Sequence, residues 1–108
     1  MTPLQIAQQL AELTQENNRG ADALYAVEVE LAEAENRLDL IEQRAFIKAQ
    51  GTVADRTALA RLEAADARLE RDLAKAKANR VRVKIKALET SIMATATQAK
   101  LIQSEMKL

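Results

Sequence analysis

Histidine and cysteine are both absent from these 108 residues. Without histidine there is no Ser-His-Asp triad, no imidazole general base and none of the usual zinc-ligand spacings. Without cysteine there is no disulfide framework, no thiolate nucleophile and no thiolate metal ligand. Proline occurs only at Pro3 and glycine only at Gly20 and Gly51, too far apart to form a phosphate-cradling loop. The aromatics are Tyr25 and Phe46 alone, which leaves little for base stacking, so any contact with nucleic acid should be mostly to its backbone. No apolar run approaches the ~20 residues that span a bilayer, and the first residues lack the basic-then-apolar layout of an export signal. A cytoplasmic protein with no membrane partner is expected.

What is present is helical in character. Of the apolar residues 22 are Ala and 14 are Leu, and most of the rest of the chain is Glu, Lys, Arg and Gln. These side chains lose little freedom on entering a helix, whereas the residues that favour sheets are scarce. The expected fold is all-α: one helical domain, residues 1–108, folded as a long antiparallel hairpin of two or three helices with coiled-coil packing.

Thr2-Pro3-Leu4-Gln5 reads as a helix start, with Thr2 and Gln5 in capping-box positions and Pro3 at the first turn. From there Ile6, Leu10, Leu13, Asn17, Gly20, Leu24, Val27, Leu31, Ala34, Leu38, Ile41 and Ala45 recur at alternating steps of four and three. That is the seam of a coiled coil. Asn17-Asn18-Arg19-Gly20 weakens it and leaves two readings: a continuous helix, or a break near Asn18. Gln50-Gly51-Thr52 is a firmer stop, with Gly51 suited to a helix end and Thr52 with Asp55 to the next N-cap. Arm one is thus 3–49, the turn 50–52 and arm two 53–107.

Arm two opens with Leu59, Leu62, Asp66, Leu69, Leu73 and Ala76 on one seam, then continues through Val81, Ile85, Leu88, Ile92, Thr95, Ala99, Ile102 and Met106. Read this way the stripe slips by one residue, and a slip turns a fresh face toward a further subunit. The segment Arg80-Val81-Arg82-Val83-Lys84-Ile85-Lys86 alternates like a strand, but flanking alanines and the lack of turn residues favour helix. A lone hairpin covers one side of each stripe, so a homo-oligomer is expected, with Leu24, Val27, Leu31, Leu38, Ile41, Leu62, Leu69, Leu73, Ile85, Leu88, Ile92 and Ile102 as its core and assembly seam.

Net charge is zero, yet residues 1–50 carry nine acids and four bases while residues 51–108 carry seven acids and twelve bases. Opposite arms attract each other first and external partners second. Folding about Gly51 places residue i near residue 103 − i, with Glu28, Glu30 and Glu33 facing Arg71, Lys75 and Lys77, and Glu42 near Arg61. Carboxylate pairs such as Glu28 with Glu30, or Glu33 with Glu35, read as a solvated helix face rather than a cation site. Thr90, Ser91, Thr95 and Thr97 have no base to activate them. The chain is read as a non-enzyme with no metal and no cofactor.

The basic stretch Arg71, Lys75, Lys77, Arg80, Arg82, Lys84 and Lys86 contains one acid, Asp72. Either the acidic arm neutralises it, or repeated copies build a track for the phosphates of single-stranded DNA. An acidic heptad helix, then Arg44-Ala45-Phe46-Ile47-Lys48-Ala49-Gln50-Gly51-Thr52-Val53-Ala54-Asp55-Arg56, then Lys84-Ile85-Lys86-Ala87-Leu88-Glu89-Thr90-Ser91, resembles small phage proteins of the recombination-mediator (UvsY-like) type over about residues 24–104. The resemblance implies an oligomer in the host cytoplasm that binds single-stranded DNA and helps a RecA-like recombinase displace the single-strand-binding protein. It implies that Lys84–Ser91 and the basic residues just before it face DNA and that Ile92–Met106 is an assembly surface. The alternative is a coiled-coil adaptor or inhibitor that contacts protein alone.

Overall fold

The Thr2 hydroxyl accepts from the Gln5 amide at 3.2 Å while the Gln5 side chain accepts from the Thr2 amide at 3.0 Å, the reciprocal box that their spacing predicts. The helix they start, α1, runs from Pro3 to Lys48 without interruption in this computed structural model, which describes residues 2–107 and, for Lys107, the backbone alone. Gly20 therefore lies inside a continuous helix. It is small because the neighbouring helix is close: a β-carbon placed there would sit 3.0 Å from Cγ1 of Ile85.

Gly51 reverses the chain with φ at +111°, a conformation that costs residues with a side chain about 1–2 kcal/mol. Thr52 then caps α2, Val53–Glu63, in a second reciprocal box with Asp55. Arg56 ties the turn together by donating from Nε and Nη2 to the Phe46 carbonyl, at 3.2 and 3.1 Å, with its guanidinium 4.3 Å from the centre of the Phe46 ring. The second arm bends at Ala64, between α2 and α3, Ala65–Lys107. Arg68 supports the bend, its Nη1 reaching the Arg61 carbonyl at 3.5 Å. The fold is all-α, with no strand among the described residues: Arg80–Lys86, despite its alternation, lies within α3.

Contacts group the chain into two compact units, Met1–Leu24 with Arg80–Leu108, and Tyr25–Asn79. Within the second unit α1 runs antiparallel to the returning arm, as the contacts of Glu30 with Lys77, Arg37 with Glu70 and Glu42 with Arg68 show. Leu38 packs against Ala64 and Ala67, on either side of the residue expected opposite it. The ion pairs run more diagonally. Glu42 meets Arg68 at 2.9 Å, not Arg61, because a long guanidinium reaches past the residue directly opposite.

The principal correction concerns which face of arm two is inside. Ala60, Ala64, Ala67, Ala74 and Ala78 are buried, while Leu59, Leu62, Leu69 and Leu73 are 48%, 72%, 58% and 63% exposed, and Asp66 and Ala76 are exposed with them. The inner residues, with half-buried Arg71, keep alternating steps of four and three, and Val81, Ile85, Leu88, Ile92, Thr95, Ala99 and Ile102 continue the same count. The expected slip does not occur. Arm two carries two heptad stripes, one of alanine and one of leucine, and the alanine stripe is the one that faces α1. Alanine packs inside because Val27, Leu31 and Leu38 of α1 already supply the bulk; small residues opposite large ones let two helices interdigitate. On α1, Ile41 is 38% exposed and Glu42, held by Arg68, takes the half-buried place beside it.

In the other unit the facing residues are large on both sides. Ile6 and Thr95 are buried, and Leu10, Leu13, Leu24, Val81, Ile85, Leu88, Ile92 and Ile102 are half-buried. Thr95 satisfies its hydroxyl by donating to the Ser91 carbonyl at 2.9 Å. Gln9 Oε1 and Asn17 Oδ1 are buried there and accept no hydrogen bond.

Candidate functional site

Two surfaces carry what is left over once the inner stripes are packed. The first is the outer face of α2 and α3 in the Tyr25–Asn79 unit. Leu59, Leu62, Asp66, Leu69, Leu73 and Ala76 occupy every position of a heptad seam there, on the side of the helix away from α1. Successive positions are three and four residues apart, so the side chains stack in one row rather than scatter. Isolated exposed leucines are ordinary on protein surfaces, whereas a contiguous apolar row marks a contact face. The equivalent outer positions of α1 are Ala26, Val29, Glu33, Asn36, Leu40, Gln43 and Ile47, which are exposed or half-exposed and interrupted by polar groups. On the second arm Asp66 is the one polar group among the six positions, against Glu33, Asn36 and Gln43 among the seven on α1.

Charges border this row on one flank: Glu63, Glu70 and Lys77 recur at seven-residue intervals along it. Glu70 lies 3.5 Å from Arg37 and Lys77 lies 3.2 Å from Glu30, in pairs whose side chains are about half exposed. Such pairs contribute about 0–1 kcal/mol each and leave the charged ends accessible.

The basic stretch is divided between the two units. Of the seven residues singled out from the sequence, Arg71, Lys75 and Lys77 belong to the Tyr25–Asn79 unit and Arg80, Arg82, Lys84 and Lys86 to the other. Arg71 is half-buried at an inner-stripe position and donates from Nε to Asp72 at 2.7 Å. Lys77 pairs with Glu30, and Arg82 is also engaged. Lys75, Arg80, Lys84 and Lys86 are exposed and make no ion pair among the described residues. Lys84 shares an open groove of about 440 Å³ with Glu16, Arg19, Gly20 and Ile85. Arg19 was not singled out from the sequence. Its place beside Lys84 follows from the antiparallel register, but its acidic surroundings in arm one hide it.

Comparison with protein-family models, curated proteins and solved structures finds no match to this chain. The site must therefore be read from its own chemistry. Among the described residues no three acidic, histidine or cysteine side chains converge on a position that would hold a metal ion. Thr90, Ser91 and Thr97 donate their hydroxyls to the carbonyls of Lys86, Ala87 and Met93, four residues back. No helix among the described residues is long and apolar enough to cross a membrane.

Proposed function

We propose that the protein is a non-catalytic helical scaffold that works by docking another helix along the Leu59–Ala76 row. One observation supports this above all: arm two presents a full heptad seam on the face that the hairpin does not use, with Leu62, Leu69 and Leu73 each more than half exposed. Covering an apolar side chain of this size yields about 1.5–3 kcal/mol, so water on this row is a standing driving force for association. A photo-reactive amino acid at position 66, in the full chain expressed in cells, should give discrete adducts on illumination. The same residue at position 33, on the outer face of α1, should give none. If position 66 yields no adduct of any mass, the docking reading is wrong.

A second reading has its own support. Arg80, Lys84 and Lys86 have no acidic partner among the described residues, Arg80 and Lys84 share one face of α3, and a phosphate backbone is a ligand that such cations suit. On this reading the protein is a recombination mediator of the kind it resembles, holding single-stranded DNA for a RecA-like recombinase in place of the single-strand-binding protein. Binding would be sequence-tolerant, because the aromatics Tyr25 and Phe46 lie outside the basic stretch. Fluorescence anisotropy with labelled single-stranded DNA at low and raised salt tests it. Arg80, Arg82, Lys84 and Lys86 changed to Glu should abolish a salt-sensitive signal, and equal, negligible binding by both proteins removes the reading.

A further inference from the structure

We propose that the hairpin opens at its free end: the two arms of the Met1–Leu24 with Arg80–Leu108 unit part in one step while Tyr25–Asn79 stays folded. Opening needs nothing docked on the Leu59–Ala76 row. Its direction follows from how the arms are joined. In the Tyr25–Asn79 unit a short turn at Gly51 joins them, held by the Thr52–Asp55 box and by Arg56 on the Phe46 carbonyl. The arms of the end unit are joined only through Tyr25–Asn79 itself. With that unit unfolded, the end unit would have to close a loop of its whole length, about 50-fold less favourable than closing the turn. The end unit therefore cannot outlast the turn unit, whereas the turn unit can outlast the end.

The end unit is also held less firmly. Gln9 Oε1 and Asn17 Oδ1 are buried in it without a hydrogen bond, and water satisfies both once the arms part. Each such acceptor disfavours the closed state by about fivefold or more. Among the described residues the turn unit has no buried side-chain acceptor of this kind. Glu30 with Lys77, Arg37 with Glu70 and Glu42 with Arg68 link the arms of the turn unit, whereas Glu12, Glu16, Arg19 and Lys84 of the end unit make no ion pair among the described residues. Exposed pairs are individually weak, so this difference adds to the orphaned acceptors rather than replacing them. The leucines and isoleucines of the end unit are larger than the alanines of the turn unit, but they are half-buried, and a side chain half in water loses correspondingly less on opening. Once released, the first arm carries Asn17, Asn18 and Gly20, poor helix formers in a segment too short to hold a helix firmly by itself. Opening bares Leu10, Leu13, Ile85, Leu88 and Ile92, an apolar seam that only the open state presents.

Amide hydrogen exchange on the purified full chain at micromolar concentration tests this. Residues 10–24 and 81–102 should share one protection level, at least about 30-fold below that of residues 30–45 and 60–76. Thr52→Ala, which weakens only the turn unit, should speed exchange there about fivefold and leave the end unit within about twofold, because the end opens with the turn still folded. Asn17→Leu removes one orphaned acceptor and should slow exchange of the end unit at least about fivefold. Equal protection in the two units overturns the proposal, and so does a smooth rise inward from the helix ends, the mark of simple fraying. A Thr52→Ala chain in which both units speed up alike, or an Asn17→Leu chain whose end unit exchanges no more slowly, overturns it as well.

Discussion

The two faces of arm two in the Tyr25–Asn79 unit obey the same spacing and meet opposite fates. Ala60, Ala64, Ala67, Ala74 and Ala78 are buried, and Leu59, Leu62, Leu69 and Leu73, on the opposite face, are in water. If hydrophobicity alone decided burial, the leucines would be inside. What decides it is fit against α1, where Leu31 and Leu38 already fill the space between the helices and leave room for methyl groups only. The chain thus spends its smaller side chains on its own hairpin and holds its larger ones outward, and the docking proposal rests on that layout.

This contrast can be broken most forcefully from the inside. Ala64→Leu with Ala67→Leu forces two large side chains against Leu38, and overpacking at about 1–3 kcal/mol per site should lower stability by about 2–6 kcal/mol in urea denaturation. An unchanged midpoint would mean that the helices separate freely and that the alanine stripe is not a fitted surface. Leu38→Ala removes the opposite knob and should cost about 2–3 kcal/mol, the lower part of the usual range because the site borders solvent. Gly51→Ala tests the turn that brings the faces into register. With φ at +111° and Asp55 Oδ2 3.0 Å from an added β-carbon, it should cost about 1–2 kcal/mol by thermal melting. Thr52→Ala removes a cap worth about 1 kcal/mol. The smallest effect belongs to the outer row: Leu69→Ala with Leu73→Ala, measured where the chain is single, should change stability by no more than about 0.5 kcal/mol per site.

Much of the first arm was legible before any coordinates. Its 4-3 spacing marks Val27, Ala34, Leu38 and Ala45, all buried, and its caps at Thr2 and Thr52 close as their spacing predicts. Ile41 fails because a half-buried Glu42–Arg68 contact occupies the neighbouring position, and an ion pair leaves no trace in a hydrophobic pattern. The sequence around Gly20 leaves a break and a continuous helix both open because glycine weakens helices; the closeness of Ile85 explains why a glycine belongs inside one. The second arm was harder, since spacing alone cannot choose between two stripes of equal period. Hydrophobicity favours the leucine stripe, whereas the fit against α1 favours alanine. The basic stretch was visible as composition, but its division into engaged residues, such as Arg71 and Lys77, and free ones, such as Arg80 and Lys86, depends on which acids the fold brings near.

Thiol labelling of single cysteines, introduced at position 67 or 69 of this cysteine-free chain, tests the inside-out arrangement of arm two directly. At micromolar concentration a thiol at 69 should react about as fast as in the unfolded chain and a thiol at 67 at least about tenfold slower. Faster labelling at 67 than at 69 in the dilute protein would show that the leucines, not the alanines, face α1, and the account would fail.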